Sequence, residues 1–171
     1  MKISLVVPAY NEEKYLGDCL ASMEREIRSA SAEVEVIVVN NASTDDTARI
    51  ARSYRHATVV DEPKKGIVWA RRAGFLASSG DLVANIDADS RLPAGWLVRV
   101  VHEFSKDPRL VALSGPFVHY DLPPAKRLLV KLWYWLVFIS QSVVKTFFGA
   151  GAFLQGGNYV VRRDALLAIG G

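Results

Sequence analysis

A chain of 171 residues, with 21 Lys and Arg against 18 Asp and Glu, has the length of one domain or one domain with an appendage. Half of the residues are hydrophobic and 23% are charged, which excludes intrinsic disorder, and a core of this size forms without disulfide or metal. The single cysteine, Cys19, excludes an internal disulfide framework, and a net charge of +3 gives no ground for a nucleic-acid partner.

In chain order, Ile3 to Val7 reads as a strand buried on both faces. It is too short for the apolar region of a signal peptide, and Pro8 and the acidic pair Glu12-Glu13 follow it. Residues 12 to 28 carry helical spacing through Tyr15, Leu16, Cys19, Leu20, Met23 and Ile27. Val34 to Val39 is a second buried strand. Ser43 is expected to cap a helix that runs to about Tyr54, with Asp45 and Asp46 in its first turn. Thr58 to Val60 is a short strand, Gly66 to Ala77 a helix with Trp69 in the core, and Ser79-Gly80-Asp81 a turn. Leu82 to Ile86 is another buried strand, ending at Asp87-Ala88-Asp89. Pro93 is placed as the first residue of a helix to Phe104, and Leu110 to His119 as a strand. The sequence closes on Ile169-Gly170-Gly171, a turn signal after a short helical pattern, where a further element is expected.

Strands alternating with helices at this spacing predict a doubly wound α/β sheet. Ligands in such sheets bind beyond the carboxyl ends of the strands. The loops to examine are therefore Pro8 to Glu12, Asn40 to Asp46, Asp61 to Gly66 and Asp87 to Ser90.

Asp87 and Asp89 follow a buried strand two residues apart, so both can face one ligand. A hard cation, Mg²⁺ or Mn²⁺, takes oxygen ligands, and one carboxylate plus diphosphate oxygens makes an economical site. The same residues also suit a plain turn before a helix. The first loop, Pro8-Ala9-Tyr10-Asn11-Glu12, lacks the glycines of a dinucleotide site, which argues against NAD or FAD, and no phosphate-loop lysine motif is present. Tyr10 can flank a base, or Pro8 simply ends the strand while Asn11 and Glu12 cap the helix. In the second loop the amides of Asn40 and Asn41 can read a base edge. Of the four cations Lys64, Lys65, Arg71 and Arg72, Lys65 and Arg71 can neutralise a diphosphate, although a charge run is more often a solvated face.

These pieces, in this order, resemble the inverting nucleotide-sugar glycosyltransferases of family 2, over nearly the whole chain. They are Val6 to Glu12, Val38 to Thr47, Gly66 with Ala70-Arg71 and Gly74, Gly80-Asp81, and Ile86 to Asp89. The resemblance implies a GT-A fold: a Rossmann-like, doubly wound, mostly parallel sheet with helices on both faces. It implies that Pro8, Ala9, Tyr10, Glu12, Asn41, Arg71, Asp87 and Ala88 bind the nucleotide and that Asp89 holds Mg²⁺ or Mn²⁺. Asn41 would stand where the family usually has an acid facing the base, and Asp87 near the ribose and diphosphate. Gly156, Gly157 and Asn158 would lie on the donor-sugar and acceptor side. The implied donor is a UDP or GDP sugar. Residues 1–120 are expected to form the nucleotide-sugar domain, and 121–171 an apolar helix and the start of an acceptor-side region.

Two departures stand out. Asn40-Asn41-Ala42-Ser43 replaces the family's usual Asp-Asp-Gly-Ser, which leaves the nucleotide open. An inverting transfer also needs a general base, which the family carries in a segment beyond the Gly-Gly turn. Here that turn is Gly170-Gly171, so the base is expected beyond Gly171 and no residue of this sequence is assigned the role. After Asp121 the only acid is Asp164, at a helix start after Arg162-Arg163, and it is not expected to be the base. The chain therefore reads as truncated, and a non-catalytic nucleotide-sugar-binding or interaction module is the alternative.

Leu128 to Ile139 is apolar nearly all round, with Lys126, Arg127, Lys131 and Lys145 before, within and after it. The longest uncharged stretch, Leu132 to Val144, rises about 20 Å as a helix, short of a hydrocarbon core of about 30 Å, so no transmembrane segment is expected. Membrane-surface contact over 126–148 and packing on the sheet or on a second copy, as a homodimer, are both open. The first would put the protein at the inner face of a membrane, near a lipid-linked or cell-envelope acceptor; otherwise it is cytoplasmic. Phe147, Phe148 and Phe153 around Gly149 and Gly151 suggest a mobile loop on the acceptor side.

Overall fold

The computed structural model describes residues 1–115, 122–148 and 156–170. The end of the expected strand at 110–119, the expected loop around Gly149, Gly151 and Phe153, and Gly171, beyond which the general base is expected, lie outside them. The elements are β1 (Lys2–Ala9), α1 (Leu16–Ser29), β2 (Glu33–Asn40), α2 (Thr47–Ser53), β3 (Ala57–Asp61), α3 (Ile67–Ala77), β4 (Leu82–Ile86), α4 (Trp96–Lys106), β5 (Ala112–Ser114), α5 (Pro124–Phe148), β6 (Asn158–Arg162) and α6 (Arg163–Ala168). The turn expected at the carboxyl end is present as far as Gly170, whose φ of 98° is the left-handed conformation that closes a helix.

The strands form one sheet in the order β3-β2-β1-β4-β6-β5. β1 pairs in parallel with β2 and β4, and β2 in parallel with β3, while β6 runs antiparallel between β4 and β5. The strand order reverses at β1 and β4, so a crevice opens beyond the carboxyl ends of these two strands. β6 belongs to the segment after residue 120, yet it sits inside the sheet.

Helices cover both faces, which is why β1 and β4 read as mostly apolar runs, interrupted by the buried Ser4 and Asn85, rather than alternating ones. Ile3, Leu5 and Val7 of β1 pack with Leu16, Leu20 and Met23 of α1 and with Leu97, Val100 and Phe104 of α4. Val6, Ile37, Val39 and Val83 pack on the other side against Ala70 and Phe75 of α3, with Leu166 of α6 alongside. Gly74 is what lets α3 lie so close: a Cβ there would meet Val6 Cγ1 at 2.2 Å.

Two helices begin later than the sequence predicts. α4 starts after Gly95, which adopts a left-handed backbone, and Pro93 lies in the preceding turn, accepting from the Trp96 amide. Glu26 of α1 receives the Gly95 and Leu97 amides on its two carboxylate oxygens, so a buried acid from another helix caps α4. α2 starts at Thr47, not after Ser43. Trp69 is not in the core. It lies on the exposed side of α3, with the Lys64 ammonium 3.4 Å from its ring centroid.

α5 corrects a further expectation. It runs unbroken through Lys131 for 25 residues, and Ala125–Val144 is long and apolar enough to cross a membrane by length and composition. The uncharged stretch is too short a measure, because the helix continues past the cation. None of its described side chains is buried, so it is not a core helix.

At the amino end of the sheet, Glu35 gathers a polar cluster. It accepts from Ser4 Oγ at 2.5 Å, from the Ser79 amide at 2.6 Å and from Ser79 Oγ at 2.8 Å, with Lys2 Nζ at 3.2 Å. Burial alone would push this carboxyl up, but the bonds from Ser4, Ser79 and Lys2 outweigh it and hold it at about 2. A carboxyl depressed in the folded state contributes stability above its unfolded value of 4.5, and that contribution is lost as pH falls from 4.5 toward 2. Chemical denaturation across this range should lose about 2–3 kcal/mol in the native protein and much less in Glu35→Gln. Ala42 has φ 56°, where the family's usual residue is glycine. Relieving that left-handed strain, less the added unfolded-state entropy, should make Ala42→Gly more stable by about 0.5–1 kcal/mol in the same measurement.

Candidate active site

The crevice at the strand reversal is a cavity of about 520 Å³, lined by Pro8, Ala9, Tyr10, Glu12, Asn41, Lys65, Gly66, Ile67, Ala70, Asp87, Ala88 and Asp89. Nine candidate residues named from the sequence thus meet in one place: Pro8, Ala9, Tyr10, Glu12, Asn41, Lys65, Asp87, Ala88 and Asp89. Ile67 is an addition. No local signal marked it, because its place follows from α3 starting at the crevice rim after Gly66.

The first loop is held by the second. The Asn11 amide donates to Ser43 Oγ at 3.2 Å, the Glu12 amide to Thr47 Oγ1 at 2.7 Å and the Glu13 amide to Asp45 Oδ2 at 3.2 Å. In return the Thr44 amide donates to Asn11 Oδ1 at 2.8 Å and the Asp46 amide to Glu13 Oε2 at 3.1 Å. Ser43 therefore satisfies the backbone leading into α1 instead of capping α2. Asp45 serves both, since its Oδ1 accepts from the Thr47 amide at 3.0 Å. This clasp fixes where Glu12 stands.

Asn41 is buried, and its amide is already engaged. Nδ2 donates to the carbonyls of Glu62 and Lys64 at 3.1 and 2.7 Å, and Oδ1 accepts from the Gly66 amide at 2.8 Å. Both donors that a base edge would need are spent, so Asn41 shapes the wall by pinning the loop before α3. Lys65 Nζ donates to Tyr10 Oη at 3.0 Å and lies 4.8 Å from that ring's centroid, at the open side of the crevice.

Asp87 is gripped from three directions. Its amide donates to the Gly157 carbonyl at 3.2 Å. Arg71 Nη2 stands 3.5 Å from its Oδ1 and donates to the Gly156 carbonyl at 2.6 Å. A Cβ at Gly157 would lie 1.7 Å from Asp87 Oδ2, so only glycine fits against this carboxylate. Asn158 pairs with Ile86 in the ladder and donates toward the Gly115 carbonyl at 3.5 Å. Gly156, Gly157 and Asn158 thus border the crevice beside Arg71, which does not itself line it. Arg71 Nε is buried with no hydrogen-bond partner among the described residues.

The crevice holds an excess of negative charge. Burial, and then the charges of Asp89, Asp45 and Asp87, push the Glu12 carboxyl up. Burial also raises Asp87; Arg71 opposes this and Asp89 adds to it. Beneath them Cys19 is buried, with its thiol pushed up to about 12 by burial and by Asp89, Asp87 and Glu12, so it is an inert packing residue. Among the described residues no group of three or more His, Cys, Asp and Glu side chains is placed to hold a metal ion unaided. The exposed Asp89 at the crevice rim can supply one oxygen ligand to a cation whose other ligands come from a bound molecule. Asp164, the last acid of the sequence, starts α6 behind Arg163, whose amide bonds to the Asp81 carbonyl at 2.9 Å, and it does not line the crevice.

The glycosyl transferase family 2 profile matches residues 4–170. An uncharacterized glycosyltransferase of Mycobacterium bovis is 42% identical over 109 residues, 64% of this chain and 46% of that protein. The glucosyl-dolichyl phosphate glucuronosyltransferase of Haloferax volcanii is 25% identical over 181 residues, covering 100% of this chain and 56% of that one. The chain thus spans about half the length of these relatives. The solved structure of a mannosyltransferase from Pyrobaculum calidifontis, in complex with GDP-Man and Mn²⁺, matches 99% of this chain and 46% of its own with a TM-score of 0.72 and 24% identity, a likeness of fold. With the profile covering nearly every residue, the chain belongs to glycosyl transferase family 2.

Proposed function

We propose that the crevice binds a nucleoside-diphosphate sugar together with Mg²⁺ or Mn²⁺, and that the protein transfers the hexosyl group to an acceptor with inversion. The observation that carries this reading is the meeting of the Pro8-Ala9-Tyr10 wall with Asp87-Ala88-Asp89 in one cavity at the strand reversal. Tyr10 flanks the base, with the donor's nucleoside, UDP or GDP, along Pro8, Ala9 and Asn41. Asp87 meets the ribose side. Lys65 faces the diphosphate, and Arg71, outside the crevice lining, offsets charge there through its contact with Asp87. The general base that takes the acceptor's proton belongs to a segment following Gly171.

The donor set fits a hard cation. Its ligands are carboxylates, the charge of Asp89 raises both Glu12 and Asp87, and the protein leaves most positions to the diphosphate oxygens. Bound there through Asp89, the cation supplies Lewis-acid stabilisation of the departing diphosphate. Arg71 and the Gly156-Gly157 turn hold Asp87 fixed, so the carboxylate needs no reorientation when the donor arrives. The acceptor is a lipid-linked or envelope glycan, a reading supported by the Haloferax volcanii relative, whose name carries a dolichyl phosphate.

Calorimetry with UDP and GDP sugars tests this directly. Binding should require Mn²⁺ or Mg²⁺ and fall by at least about tenfold in Asp89→Ala, whereas metal-independent binding would refute the cation role. A donor-hydrolysis and transfer assay on the same protein separates enzyme from binding module. A matched pair of glycine variants tests the grip on Asp87. Gly157→Ala must displace that carboxylate and should weaken donor binding by at least about tenfold, while Gly156→Ala, whose Cβ would stand 4.0 Å from Arg71 Nη2, should bind as the native protein does.

A further inference from the structure

We propose that α5 docks in the plane of an anionic bilayer surface and does not span it, holding the donor crevice at the lipid-water boundary. This deepens the acceptor part of the reading above, but it stands on α5 and not on the donor crevice.

The first observation is exposure. Leu129, Leu132, Leu136, Ile139 and Val143 of α5 are 65%, 49%, 57%, 40% and 47% exposed, although they are large and apolar. At 3.6 residues per turn they fall on one face. Arg127 and Lys131 fall away from it, on a side that they share with Tyr134 and the exposed Phe138, and Gln141 and Ser142 continue that side toward the carboxyl end. Trp133 and Trp135 add two indole rings, exposed by 64% and 60%. A largely apolar, exposed helix with cations near its amino end and two tryptophans matches one lying at the headgroup level of an anionic membrane.

The second observation is connectivity. Ser114 of β5 pairs with Tyr159 of β6, and Ser114 Oγ donates to the Asn158 carbonyl at 2.8 Å. The excursion that contains α5 therefore leaves and re-enters the sheet at neighbouring points. A helix of 25 residues is about 38 Å long, enough to cross a hydrocarbon core of about 30 Å once. The chain would then have to recross through residues 116–123 or 149–157. The longer of these, nine residues, could reach at most about 32 Å even fully extended, and any lone extended crossing would leave backbone groups without partners in lipid. One crossing is thus sterically open by length but closed by the return path. In-plane docking has no such conflict, because both ends of α5 stay on the side of the sheet.

Docking also has a functional consequence. Gly157, just before β6, touches Asp87, so the segment that returns from α5 ends at the donor crevice. A headgroup-borne hydroxyl at the membrane surface is the class of acceptor that this arrangement presents.

Flotation of the native protein with vesicles of phosphatidylcholine and phosphatidylglycerol tests the proposal. Binding is expected with these vesicles, weaker with phosphatidylcholine alone and weaker at raised salt. The double variant Leu132→Glu/Leu136→Glu should lose at least about tenfold in vesicle binding while keeping its melting temperature and its nucleotide affinity, since both side chains are exposed. An alkaline carbonate wash should release the bound protein. No flotation, flotation of the double variant equal to native, retention after the wash, or a lipid-independent dimer that the same variant dissolves would each overturn it. Loss of nucleotide binding with flotation intact would refute only the donor reading.

Discussion

The contact on which the site depends is the one between Asp87 and the Gly156-Gly157 turn. β4 delivers Asp87 to the end of the parallel half of the sheet, and β6 brings the two glycines back from the antiparallel half. Arg71 of α3 bridges them, close to the carboxylate with one nitrogen and bonded through the same nitrogen to the Gly156 carbonyl. Three elements far apart in sequence therefore meet at one charge. Without the glycine, a Cβ would occupy the carboxylate's own space. The antiparallel direction of β6 is what puts its first residues at the crevice, since a parallel strand would bring its last ones there.

Electrostatics then gives the crevice its character. Asp89 lies close enough to Glu12 and Asp87 to raise both carboxyls, and Arg71 offsets only part of the charge. A crevice with surplus negative charge and, among the described residues, too few protein ligands for a metal of its own is suited to a cation that arrives with an anionic ligand. Cys19, packed beneath, shows the same field from the other side: its thiol stays protonated and plays no chemical part. At the opposite end of the sheet Glu35 is treated in the reverse way, with enough donors to remain ionised, so one fold holds one carboxyl well below its ordinary range and others above it.

What the sequence revealed was local, and what it concealed was tertiary. Mostly apolar runs at Ile3–Val7 and Leu82–Ile86, each with one polar residue, declared buried parallel strands, and the residues just after them declared the crevice. Ser43 and Asp45 were legible as capping residues, but not that their partners belong to the loop before α1, 32 positions away. Asn41 was legible as a polar residue at the rim, but its three bonds to the Glu62–Gly66 backbone exist only once β3 and α3 are placed. Trp69 looked like core because tryptophan usually is, yet α3 turns it outward beneath Lys64. α5 outruns its uncharged stretch because a single long cation such as Lys131 costs a helix nothing when its ammonium reaches solvent.

The most direct test of the account is where a bound cation sits. Mn²⁺ added with a UDP or GDP sugar to isotope-labelled protein should broaden the backbone resonances of Asp87 to Ser90, Tyr10 to Glu12 and Gly157, with the effect centred on Asp89, and leave the Glu35 end of the sheet sharp. Broadening centred elsewhere, or none in the presence of either nucleotide sugar, would contradict it.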